Sequence, residues 1–131
     1  MSYGFKDDKS KAQVITNEND VDWFLLSING SSPTLDMNKL YARRVGNTIE
    51  VSGKFRISGS DLNSVTFSIP TEFVPSGHDI ENAVVGCDSG KTTVLTATVS
   101  GLLDGKLALQ LMNSTKITST KTYCVHLIYM V

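Results

Sequence analysis

The stretch Thr48-Ile49-Glu50-Val51-Ser52-Gly53-Lys54-Phe55-Arg56-Ile57 alternates without error. Ile49, Val51, Gly53, Phe55 and Ile57 fall on one side, and Glu50, Ser52, Lys54 and Arg56 on the other. This is the period-2 signature of a strand with one face in a core and one in water. After Ser58, Gly59, Ser60, Asp61 and Asn63, a turn-forming run, the pattern resumes with Val65, Phe67 and Ile69 inward and Ser64, Thr66 and Ser68 outward. The two runs predict an antiparallel hairpin. Pro70, with no N–H to give a ladder, ends the second run, and Pro75 keeps the next segment irregular.

Working outward, residues 38–45 alternate as well, with Tyr41, Arg43 and Val45 on one side and Leu40, Ala42 and Arg44 on the other. Gly46-Asn47 turns this strand directly into the 48–57 strand. Val21 to Ile28 holds Trp23, Phe24, Leu25, Leu26 and Ile28. It reads as a short strand apolar on both faces and therefore covered on both. Gln13 to Thr16 reads as a short edge strand. Downstream, residues 72–82 are the longest loop. Val84-Val85 begins a strand that Ser89-Gly90 turns into another over 92–99. Asp104-Gly105 is the best single turn signal, with Leu107, Leu109 and Leu111 facing inward after it. The final run, Thr122 to Val131, is apolar on both faces apart from His126. It is therefore central in its sheet or covered by another subunit. Short, evenly spaced strands predict an all-β fold, an antiparallel β-sandwich or jelly roll of about eight strands.

Composition agrees. The 131 residues are enough for one domain with its own core. Ser and Thr number 15 and 13, which suits the wet faces of strands. Charged residues are 19 % and the net charge is −1, so no nucleic-acid footprint is present. No apolar run reaches the ~20 residues of a membrane span. No basic-then-apolar leader opens the chain. Residues 1–20, with Lys6, Asp7, Asp8, Lys9 and Lys11 around only Tyr3 and Phe5, read as a flexible or attachment segment ahead of a head domain over 21–131. Cys87 and Cys124 fit no metal spacing and read as free, mostly buried thiols.

The chemistry of a catalyst is hard to find. His78, Asp79, Glu81 and Asp88 lie close in sequence but match no metal-ligand spacing, and a solvated loop accounts for them. His126 and Cys124 share a strand face without a third group to orient the base, so His126 reads as a buried, hydrogen-bonded histidine. Glu18 and Asp20 sit in the N-terminal segment, a poor place to hold acid–base geometry. With no phosphate loop, zinc set or nucleophile elbow, neither enzymatic activity nor a cofactor is expected.

The series Leu40-Tyr41-Ala42-Arg43-Arg44-Val45-Gly46-Asn47-Thr48-Ile49-Glu50-Val51-Ser52-Gly53, with Phe67-Ser68-Ile69-Pro70-Thr71-Glu72-Phe73-Val74-Pro75-Ser76, resembles the head domains of bacteriophage tail-fibre and baseplate receptor-binding proteins. The run from Val99 to Leu107 is similar to the strand-turn-strand that closes such heads, and Tyr3 to Lys11 resembles the start of some virion appendage proteins. No heptad, collagen-like or β-helical repeat precedes these residues. The resemblance implies a non-enzymatic virion protein, made in a bacterial cytoplasm. It would be a head domain that binds a host cell-surface saccharide, or a decoration, head-fibre or adaptor subunit with a structural role. The ligand-binding residues expected by placement are Tyr41, Phe73, His78, Asp79, Asn82 and Asp88, as stacking aromatics and hydrogen-bonding groups. Tyr3 and Phe5 would dock the chain onto other virion proteins. Excess apolar surface on the last strand, together with the resemblance, predicts a homotrimer, with Tyr123, Val125, Leu127 and Tyr129 as assembly residues.

Overall fold

The structure is a computed structural model and describes residues 19–101 and 104–131. The expected docking residues Tyr3 and Phe5, the strand over 13–16 and Glu18 lie outside the described residues. The fold is all-β and antiparallel, with nine strands among the described residues: β1 (Val21–Leu25), β2 (Ser27–Ile28), β3 (Leu35–Val45), β4 (Thr48–Ile57), β5 (Val65–Ile69), β6 (Ile80–Asp88), β7 (Val94–Ser100), β8 (Gly105–Leu111) and β9 (Tyr123–Met130). Two 3₁₀ turns, Thr71–Phe73 and Met112–Ser114, are the only helical pieces among the described residues.

All nine strands belong to one sheet in the order β1-β3-β4-β9-β6-β7-β8-β5-β2. The two edge strands are consecutive in the chain. Leu26 between them donates its N–H to the Leu40 carbonyl at 2.9 Å, and Asn29, just after β2, donates to the Thr66 carbonyl at 2.9 Å. One segment therefore joins both edges and curls the sheet into a nearly closed barrel.

The hydrophobic alternation reports the inward faces correctly. Phe55, Phe67 and Leu109 are wholly buried. The strand pairing is another matter. β4 and β5 are not a hairpin, because β4 lies between β3 and β9, and β5 lies between β8 and β2. They face each other across the interior as the two layers of a sandwich do, with Phe55 and Phe67 in edge contact. Residues 58–64 cross the gap, pinned by the paired backbone hydrogen bonds of Leu62 and Ile117. The β3–β4 turn at Gly46-Asn47 is as predicted, with Val45 opposite Thr48. Gly105 is already the first residue of β8, paired with Ile69, so the β7–β8 connection is wider than a two-residue Asp-Gly turn.

β9 is central, and its faces differ. Tyr123, Val125, Leu127 and Tyr129 point into the core, whereas Cys124, His126, Ile128 and Met130 are exposed. The four residues expected at an assembly surface are thus core residues. A subunit contact along β9 would have to use the opposite face. Nor is the segment over 21–28 covered on both sides, since Trp23 and Leu25 are open to solvent. The two thiols are free but not deeply buried: Cys87 is half-buried and Cys124 exposed.

Candidate functional site

The residues expected to bind a ligand do not converge. Phe73 is wholly buried; its ring meets Phe24 edge to face at 5.6 Å, and its carbonyl accepts a hydrogen bond of 2.6 Å from the Tyr129 hydroxyl. Burial raises the pKa of that hydroxyl, which keeps it protonated as the donor. Asp88 is also structural. One carboxylate oxygen accepts from the Thr92 N–H, the Thr93 N–H and the Thr93 hydroxyl at 2.7, 2.7 and 2.8 Å, and the other from the Thr92 hydroxyl at 2.9 Å. Burial alone would raise its pKa, but the hydrogen bonds from Thr93 and Thr92 outweigh it and hold the group well below the usual carboxylate range. With these oxygens committed to the β6–β7 turn, Asp88 fastens that turn. Asn82 occupies an irregular stretch of β6 with φ 53°, its N–H directed at the Thr98 hydroxyl at 3.3 Å.

His78 and Asp79 do border a concavity. It is an open cleft of about 690 Å³, also lined by Pro75, Ser100, Asp104 and Lys106. Among the described residues no group of three His, Cys, Asp or Glu side chains is arranged to hold a metal ion.

The remaining expected residue, Tyr41, leads to a better-defined site on the outer face of β1, β3, β4 and β9. Strand register sets two rows across that face. Leu25, Tyr41, Ser52 and His126 are successive cross-strand partners, and Arg43, Glu50 and Ile128 form the neighbouring row. Between Val21, opposite Arg44, and Phe24, opposite Ala42, β1 carries Asp22 and Trp23 against the single residue Arg43. This is a bulge, which re-aims the side chains around it. Phe24 turns inward and Trp23 outward, where the Arg43 guanidinium carbon lies 4.7 Å from the centre of the indole ring.

Trp23 and Tyr41 are each 41 % exposed and, with Ser52, line a shallow recess of about 310 Å³. A polar chain runs beside it. Arg43 donates from Nε and Nη2 to Glu50 Oε1 at 3.1 and 2.9 Å, and His126 Nε2 lies 3.0 Å from Glu50 Oε2. The His126 hydrogen bond first, and the Arg43 hydrogen bond second, lower the Glu50 pKa. His126 is therefore an exposed member of a surface network and not the buried histidine expected. Trp23, Arg43, Glu50 and His126 form one linked line over four adjacent strands. Chemically, the arrangement offers two aromatic faces, a hydroxyl floor, and donors and acceptors of fixed orientation.

Of the expected residues only Tyr41 belongs to this face. Trp23 was missed because an apolar run carries no mark of a bulge, and Arg43, Glu50 and His126 because their strands are brought together by long-range pairing. Comparison of the chain with family models, with curated proteins and with solved structures finds no match.

Proposed function

We propose that the domain is a non-enzymatic binding module whose outer sheet face takes a saccharide. The observation that carries this reading is the pairing of exposed Trp23 and Tyr41 about one recess, with the Arg43–Glu50–His126 chain alongside. Aromatic rings offer a flat apolar surface to the C–H face of a sugar ring, while oriented polar groups meet its hydroxyls. The ion pairs already hold Arg43 and Glu50 in place, so less side-chain entropy is lost when a ligand arrives. In the virion setting that the sequence resemblance implies, the ligand would be a saccharide of the host cell surface. Exposed Ile128 and Met130 on β9 favour a second reading, a structural virion subunit that buries them against another protein.

Trp23 is the sole tryptophan, so its fluorescence reports on the recess directly. Titration with oligosaccharides and purified cell-wall polysaccharide is expected to give a saturable change in emission. Tyr41→Ala should abolish it, and His78→Ala, in the separate cleft, should leave it intact. No response to any glycan, with no retention of the protein on polysaccharide, would overturn the saccharide reading and leave the structural one.

A further inference from the structure

The chain has two cysteines in 131 residues, and the fold sets them directly opposite one another. Cys87 in β6 and Cys124 in β9 are cross-strand Cα partners, flanked by the pairs Gly86 with Val125 and Asp88 with Tyr123. Asp88, Tyr123 and Val125 point inward and are 2, 0 and 3 % exposed, so the two thiols between them share the outer face. Their hydrogen-bonding register follows from the next turn of the ladder. Ser89 donates its N–H to the Thr122 carbonyl at 2.8 Å, which makes that pair hydrogen-bonded. Two residues along, the cysteine pair is hydrogen-bonded too, with a typical Cα separation of about 5.5 Å. Disulfides form across about 4.4–6.8 Å. The backbones also press together here, since a Cβ on Gly86 would collide with the Cys124 carbonyl oxygen.

The position matters mechanically. β6 and β9 are joined by only three residue pairs, against eight between β4 and β9 and ten between β3 and β4. Apart from those of the two edge strands, this is the shortest ladder in the sheet. Lys54 in β4, exposed, is the partner of Cys124 on its other side and offers a cation to an anionic reagent.

We propose that Cys87 and Cys124 are a dithiol–disulfide site, oxidised by a small anionic disulfide of the glutathione class, whose bond locks β6 to β9. Exposed Cys124, as its thiolate, attacks one sulfur of the reagent, forming a mixed disulfide and releasing one small thiolate. Cys87, as its thiolate, then attacks Cys124 Sγ, and the mixed bond breaks to release the second. The two cysteines lose two electrons and two protons. The reagent gains both and leaves as two thiols.

The test uses the full chain, reduced and then equilibrated with oxidised glutathione. The expected result is loss of both titratable thiols, a monomer lighter by two hydrogens, and a melting temperature higher by about 5–10 °C, all reversed by reductant. Cys87→Ser should instead retain glutathione on Cys124 and show no such rise. Thiols that stay free, a stable mixed disulfide on the parent protein, or disulfide-linked dimers would overturn the site. An intramolecular bond with unchanged melting would overturn the lock.

Discussion

Phe55 of β4 and Phe67 of β5 meet edge to face across the barrel interior, ring centres 5.4 Å apart and planes inclined by 73°. Their strands share no hydrogen bonds, so this contact belongs to the core that holds the two sides of the sheet together. Tyr123 of β9 lies 5.7 Å from Phe55, continuing the cluster. Phe67→Ala removes a wholly buried ring where the surrounding strands have little freedom to collapse. It should cost about 3–5 kcal/mol through lost transfer energy and the cavity left behind. Urea unfolding of the parent and variant measures this as a shift in midpoint, and a shift near zero would show that the ring is not in the core.

Gly53 has φ +141°, and a Cβ there would run into the backbone carbonyl of Lys39 on β3. The neighbour is main chain in a ten-pair ladder, so it cannot turn aside as a side chain could. Gly53→Ala should destabilise by about 3 kcal/mol, the upper end for a forced backbone conformation. Thermal melts with the β3–β4 strand signals followed by hydrogen exchange would show whether the loss begins at that ladder.

Much of this was legible from local pattern. The inward residues of 49–57, 65–69 and 107–111 stand where alternation puts them, because a strand records its two faces in neighbouring residues, whereas 123–129, apolar on both faces, gives no such sign. Pairing leaves no such record. Nothing in residues 48–57 says that their second neighbour is the strand at 123–130, and a seven-residue connection full of turn formers looks the same whether it closes a hairpin or crosses a core. The site was hidden for a related reason, since Glu50 and His126 meet only after that pairing exists. Asp88 is different. An aspartate opening a Ser-Gly turn and followed by Thr92 and Thr93 carries a readable turn-closing pattern, even though its polar neighbours in sequence give it the look of a ligand-binding residue.

Asp88 supplies the pH dependence. Its carboxyl is held below the unfolded value of about 3.8. A depressed acid contributes stability in full above the unfolded pKa and loses it as pH falls toward the folded one. Asp88→Asn should therefore melt well below the parent at pH 7, and the gap should narrow steadily as the pH is taken below 3.8. A gap independent of pH would mean that the charge on this carboxyl contributes nothing to the turn.

Tyr129→Phe isolates one hydrogen bond. The side chain is 7 % exposed, and its hydroxyl is a donor to the Phe73 carbonyl. Loss of the hydroxyl leaves that carbonyl without this donor beside the core, and should cost about 1–3 kcal/mol. Chemical denaturation detects it, and a variant as stable as the parent would indicate that water replaces the donor.

The segment that joins the two edges has a consequence for behaviour in concentrated solution. At one end the sheet finishes in a bulged strand of five residues, at the other in a strand of two. A long, flat border would offer its unpaired N–H and C=O groups to any passing extended chain, whereas short or bulged borders give a newcomer too few consecutive partners to outweigh the entropy of ordering it. A domain whose regular structure is nearly all strand is thereby guarded against growing by one more.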